Sequence, residues 1–235
     1  MNIAVIRFPG SNCDLDVVAA LRATKGLKTK LVWHESGDLR DFDALVLPGG
    51  FSFGDYLRAG AIAARSPAIA RIRRLAEKGI PVLGVCNGFQ ILVEAGLLPG
   101  SLLRNSGLKF VCKWVTLRVE NNRTPFTRES KHGELLRLPI AHNEGRVFLP
   151  EDELAALKRT GRIVFRYTDD TGEPSARANP NGSQENIAAI CNEDGNVLGM
   201  MPHPERAADP ILDPEGRSDG ISIFSSLAGL DRSGN

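Results

Sequence analysis

"PVLGVCNGFQILVEAG", residues 81–96, is the stretch whose reading decides the fold. PVLGV is an apolar run bounded by proline and reads as a buried strand; residues 87–95 follow at once as a helix that stops at Gly96. Cys86 stands at the junction, with Gly84 and Gly88 on either side. A strand that turns straight into a helix is half of a βαβ unit. A cysteine at that turn is either a small buried spacer or a nucleophile raised on a sharp elbow.

The N-terminal half repeats the same alternation. "NIAVIRF" (2–8), "KTKLVWH" (28–34) and "DALVLP" (43–48) read as strands. "SNCDLDVVAALRATKG" (11–26) reads as a helix capped by Ser11, with Asp14 three residues on and Gly26 as its stop. "SPAIARIRRLAEKG" (66–79) reads as another, with Ser66 at the cap, Pro67 at the first position, Gly79 at the end, and Ile69, Ile72 and Leu75 at helical spacing. Such alternation predicts right-handed βαβ units and a parallel sheet with helices on both faces.

Past residue 100 the pattern changes to period two. "FVCKWVTLRVE" (110–120), "LRLPIAH" (136–142), "RIVFRY" (162–167), "NIAAICN" (186–192) and "NVLGMM" (196–201) read as further strands. The last two flank the hairpin signal "EDG", and "NPNGS" (179–183) marks another tight turn. The prediction is one α/β domain over 1–235: a doubly wound, mostly parallel sheet flanked by helices, with an antiparallel extension. The charged stretch 120–134 is expected to be a solvated loop.

Lys plus Arg number 29 and Asp plus Glu 28, so the chain lacks the basic excess of a nucleic-acid binder. No apolar run approaches the ~20 residues that span a bilayer, and "MNIAVIRFPG" lacks the basic start and apolar core of a signal peptide. A cytoplasmic protein with no nucleic-acid or membrane partner is expected. The four cysteines, Cys13, Cys86, Cys112 and Cys191, show no paired spacing, which argues against a disulfide framework and a zinc site. Cys13, Cys112 and Cys191 read as small buried apolar residues.

Cys86 differs in its context. Its sulfur would lie at a helix N-terminus, which favours thiolate, and at the C-terminal edge of a parallel sheet, where ligands bind. "LPGGFSFGDYLRAG" (47–60) also follows a strand. It is either an ordinary glycine-rich turn or, through Gly50, a source of a backbone N–H that pairs with the Asn87 N–H in an oxyanion hole. "GMMPHPER" (199–206) follows the last strand and holds His203 and Glu205 in an extended segment stiffened by Pro202 and Pro204. Residues 203 and 205 then project to one side, so the carboxylate reaches the imidazole, and the imidazole can serve a cysteine as base. His34, His132 and His142 lack such a setting and read as surface histidines.

G-V-C-N-G-F-Q followed downstream by M-P-H-P-E-R resembles the class I glutamine amidotransferases. "FPGSNCD", "GGFSFGDYLRAG", "LLRNSGLKFVCKWV", "NPNGS" and "NIAAI" extend that resemblance over nearly the whole chain. Together the motifs look like those of the glutaminase subunits that feed the conversion of formylglycinamide ribonucleotide to its amidine in purine biosynthesis. The resemblance implies a Cys86–His203–Glu205 triad that hydrolyses L-glutamine to glutamate and ammonia, an oxyanion site at Gly50 and Asn87, and Gln90 as a glutamine-binding residue. It implies a large synthetase subunit as partner, with a small accessory subunit, and ATP and magnesium there; no metal or cofactor is expected in this chain. The family usually reads H-G-E-G where this chain has His142-Asn143-Glu144-Gly145, a segment expected near a partner surface and not in the chemistry. Rival expectations are a cysteine-type α/β-hydrolase, whose acid normally precedes its histidine, and a non-catalytic module that kept the fold. Since the chain holds no means of using ammonia, it is expected to be nearly silent alone, with a flexible 49–54 loop that a partner sets.

Overall fold

A computed structural model describes residues 1–35 and 38–230. Its strands are β1 (Asn2–Arg7), β2 (Lys28–Trp33), β3 (Ala44–Leu47), β4 (Val82–Val85), β5 (Ser101–Arg104), β6 (Val111–Val119), β7 (Leu135–His142), β8 (Glu144–Phe148), β9 (Ile163–Thr168), β10 (Ile187–Cys191) and β11 (Val197–Met200). The α-helices are α1 (Asp14–Ala23), α2 (Pro67–Ala76), α3 (Asn87–Glu94), α4 (Glu151–Arg159) and α5 (Ile221–Ala228).

Nine strands form one sheet in the order β2-β1-β3-β4-β11-β10-β9-β6-β7, and β5 pairs with β8 beside it. From β2 to β11 neighbours run parallel. From β11 to β7 they run antiparallel. This is the predicted doubly wound α/β sheet with its antiparallel extension. The inner parallel strands are apolar without alternation because both faces are covered: Ile3, Ala4, Val5 and Ile6 of β1 are wholly buried, as is every residue of β3 and β4, whereas β2 at the sheet edge alternates. β6 and β7 alternate in exposure, as a sheet with one covered face requires.

The strand order reverses between β1 and β3. With right-handed crossovers, the helix after β1 lies on the opposite face from those after β3 and β4. A crevice therefore opens at the carboxyl ends of β1 and β3, where open α/β sheets bind ligands. Here the loops after β1 and β3 clasp each other. Phe51 N donates to Gly10 O at 2.9 Å, Phe53 N to Pro9 O at 2.7 Å and Cys13 N to Gly49 O at 3.2 Å, and Ser11 bridges to Gly50.

That clasp corrects two expectations. Ser11 does not cap α1; the helix begins at Asp14, and Ser11 is spent on the bridge, its Oγ accepting from Phe8 N at 3.1 Å. Residues 49–54 form a hydrogen-bonded clasp instead of a free loop. The stretch 120–134 is likewise no solvated loop. Phe126 and Thr127 are wholly buried, and Glu129 N donates to Ser226 Oγ of α5 at 3.1 Å. Its charges face outward while a few apolar and hydroxyl groups anchor it, a split that average polarity conceals. β5, β8, α4 and α5 had no counterpart in the sequence reading.

Candidate active site

β4 delivers Cys86 and β11 delivers His203. The two strands pair in parallel, with Val85 opposite Met200, so the chain leaves both at the same sheet edge. Cys86 N donates to Met200 O at 2.7 Å, locking the junction. Cys86 then turns at φ +49, ψ −105, a costly region for a non-glycine residue, and α3 starts at Asn87. The elbow closes only because its flanks are glycines. A Cβ on Gly88 would lie 2.0 Å from Leu47 O, and one on Gly84 would lie 2.5 Å from Leu92 Cδ1.

His203 N donates to Pro139 O at 2.8 Å, which fixes the backbone of the proline-flanked segment. The His203 ring is 2.6 Å from Glu205 Oε1 through Nδ1, and both residues are buried. Nε2 has no hydrogen-bond partner among the described residues, so it is the nitrogen left for chemistry. Burial pulls the imidazole pKa down, but the Glu205 carboxylate and the sulfurs of Cys86 and Cys13 more than offset it. They hold the imidazole well above the ordinary histidine value. The structure thus brings Cys86, His203 and Glu205 together as the sequence predicted.

Gly50 lies in the clasp at φ +148, where a Cβ would fall 2.7 Å from Gly10 O and 2.8 Å from Asn12 N. Asn87 ties clasp to elbow: its Oδ1 accepts from Ser52 N at 3.1 Å and its Nδ2 donates to Gln90 Oε1 at 2.9 Å. Gln90 is buried, and its Nε2 donates to Glu144 O at 2.5 Å. It braces the wall of the site with both ends of its amide engaged.

A cleft of about 230 Å³ opens at Cys86, between Gly50, Gln90, Asp55, Arg104, His142 and Glu144. His142, Asn143 and Glu144 of the segment 142–145 therefore line the cleft, against the expectation that it lies outside the chemistry. Neither His34 nor His142 is a surface residue. His142 Nδ1 meets Asn105 Oδ1 at 3.1 Å, and burial, with His203 nearby, lowers its pKa to about 4. It stays neutral beside the charged ring. Asp55 is half-buried, and burial together with Glu144 pushes its carboxyl up to about 6. The sequence reading missed Asp55, Glu144 and His142 as site residues, since nothing local marks a residue that folding alone carries to the cleft.

Cys13, His203 and Glu205 place ligand-type atoms within 4.8 Å of one another. The Arg206 guanidinium already donates to Cys13 Sγ at 3.1 Å, which puts a positive charge where a metal ion would supply one. Cys13 is thus no inert spacer but the rear wall of the triad.

A cysteine on a strand-to-helix elbow, facing a carboxylate-held imidazole at the edge of this sheet, is the arrangement of a glutamine amidotransferase. The CobB/CobQ-like glutamine amidotransferase domain matches residues 1–228, and the chain belongs to that family. Within it, the chain is 56% identical over 97% of its length to phosphoribosylformylglycinamidine synthase subunit PurQ of Thermomicrobium roseum, 95% of which is covered. It is 53% identical over 97% of its length to the PurQ subunit of Aquifex aeolicus, 99% of which is covered. A chain in the structure of PurLQS from Thermotoga maritima superimposes with a TM-score of 0.84 at 45% identity, covering 96% of each chain.

Proposed function

We infer that this chain is the glutaminase subunit of a phosphoribosylformylglycinamidine synthase. It hydrolyses L-glutamine to glutamate and ammonia and passes the ammonia to a synthetase subunit that converts formylglycinamide ribonucleotide to formylglycinamidine ribonucleotide. Near-full-length identity above one half to subunits of that enzyme supports the role. The observation that carries the chemistry is the Cys86 elbow beside a buried His203 whose Nδ1 is 2.6 Å from Glu205.

In the proposed mechanism, the Cys86 sulfur attacks the side-chain amide carbon of glutamine. The N–H groups of Gly50 and Asn87 receive the developing oxyanion, a kind of contribution worth ~10²–10³ in turnover for each donor. His203, held protonated, gives its proton to the leaving nitrogen, and the C–N bond breaks to release ammonia and leave a thioester. Neutral His203 Nε2 then takes a proton from water, whose oxygen attacks the thioester carbon. Glutamate leaves, and the proton returns to the Cys86–His203 pair. Glu205 keeps the ring in place throughout, and Gln90 shapes the glutamine wall.

The complex acts through a large synthetase subunit, with a small accessory subunit completing it, and ATP and magnesium serve the synthetase. No described helix is long and apolar enough to cross a membrane, and we place the complex in the cytoplasm. The test is trapping. Brief exposure to L-glutamine in the assembled complex, followed by acid quench and intact-mass measurement, should show a glutamyl adduct on this chain. Cys86→Ala should show neither adduct nor hydrolysis while retaining the wild-type circular dichroism. Substantial hydrolysis by a folded Cys86→Ala variant overturns the assignment.

A further inference from the structure

Cys13, the rear wall of the triad, has an unusual setting for a cysteine. It stands at the N-cap of α1, a place that favours Ser, Thr, Asp or Asn because their oxygens accept from the first turn. Its side chain makes no such cap bond. The thiol is buried instead. It donates to Asn12 Oδ1 at 3.2 Å, and with its proton so placed the sulfur lone pairs are free to accept from Arg206, whose Nη2 donates to Sγ at 3.1 Å. Sγ also lies within 4.8 Å of a ring nitrogen of His203 and of a carboxylate oxygen of Glu205.

Gly49 completes the cage. A Cβ there would lie 2.7 Å from His203 Cε1, 3.4 Å from His203 Nδ1 and 3.1 Å from Cys13 Sγ, so ring and sulfur both press on the same bare backbone. Cys13 N donates in turn to Gly49 O at 3.2 Å, which ties the sulfur to the clasp. The titratable groups around the imidazole come from four places: Glu205 and Arg206 in its own segment, Cys86 at the start of α3, Cys13 at the start of α1 and His142 on β7. α5, packed against the same segment, carries none. Glu205 and the two sulfurs favour the protonated ring against the pull of burial.

Packing alone would be satisfied by any small side chain at this position. An acceptor held against a guanidinium on one side and an imidazole on the other requires the sulfur. We propose that Cys13 is a positioning residue for the glutaminase reaction: its sulfur screens the His203 ring from the Arg206 guanidinium and holds the imidazolium ready to protonate the departing nitrogen. The proposal rests on the glutaminase function inferred above. With a methyl group in place of the sulfur, two cations would face each other across a buried gap, and the ring would give up its proton at lower pH.

The test reads the imidazole directly. The full chain, labelled with carbon-13 at histidine Cε1, is titrated by NMR, and the His203 resonance is identified by its loss in His203→Gln. The midpoint in Cys13→Ala should fall below that of the wild type by about half a pH unit to one pH unit, the worth of one hydrogen-bond partner. Cys13→Ser, whose hydroxyl can still donate to Asn12 and accept from Arg206, should fall less. Cys191→Ala, which truncates a buried thiol on β10, is the packing control and should lose stability without moving the midpoint. In the chain assembled with its synthetase, the alkaline limb of glutamine kcat/KM should move to lower pH in the same order. A merely structural role for Cys13 would lower rate or stability evenly across pH. An unmoved His203 midpoint in Cys13→Ala and Cys13→Ser overturns the proposal. Glutamine left unhydrolysed by the wild-type complex, with the midpoints displaced as expected, overturns the glutaminase function instead.

Discussion

Gly88→Ala sets two known effects against each other. Gly88 lies in the first turn of α3, where alanine is better by about 1 kcal/mol on propensity alone. Its added Cβ would lie 2.0 Å from Leu47 O, 2.7 Å from Leu47 C and 2.9 Å from Leu47 Cβ. Ordinary contact begins at 3.4 Å, so about 1.4 Å must be recovered. Leu47 is wholly buried at the end of β3, and a backbone carbonyl cannot swing aside as a side chain can. The start of α3 has to lift away from β3 instead. Overpacking of this kind costs ~1–3 kcal/mol, which exceeds the propensity gain. The same movement carries Cys86 and Asn87, and a displacement near 1 Å of reacting groups costs ~10²-fold in rate. Gly107→Ala is the control, because its Cβ meets nothing within 4 Å and its φ is not positive. Urea unfolding and glutamine hydrolysis in the complex should show Gly88→Ala less stable by up to about 2 kcal/mol and about 10²-fold slower. A Gly88→Ala enzyme that matches Gly107→Ala in both would refute the close-approach account of the elbow.

His142 supplies a pH signature. Its folded pKa of about 4 lies below its unfolded value, so its contribution is present above pH ~6.5 and is lost as pH falls toward 4. The loss is about 3 kcal/mol by pH 4, and His142→Gln should remove that part of the slope in denaturation measured from pH 7 to 4. In the triad, His203→Ala should cost ~10²–10⁴ in kcat, and Glu205→Gln, which only loosens the ring, should cost less. The opposite ranking in single-turnover kinetics would reverse the assigned roles. Finally, steady-state hydrolysis by the chain alone should be far slower than after the synthetase and its nucleotide ligands are added. Equal rates would show that the clasp of residues 49–54 is already catalytically set.

Much of the molecule was legible along the chain. The inner parallel strands β3 and β4 are continuous apolar runs because both their faces are covered, and β6 and β7 alternate because one of theirs is not. The elbow was legible too, since a strand, a helix and two glycines needed for close approach lie within a few residues of Cys86. His203 and Glu205 were legible as a pair because their contact is local, two residues apart in a stiffened segment. The tertiary structure alone decided what surrounds them. The sheet order puts β11 beside β4 and so puts His203 at Cys86, and the reversal between β1 and β3 knots Ser11 to Gly50 and brings Cys13 behind the imidazole. Asp55, Arg104 and Glu144 come from three separate loops and strand ends, and nothing in the residues beside them marks that meeting. Spacing encodes contacts made within a turn or a strand, whereas contacts between distant segments depend on sheet order and on which loops cross the crevice. For that reason the elbow could be read from sixteen residues, and the walls of its cleft required the folded chain.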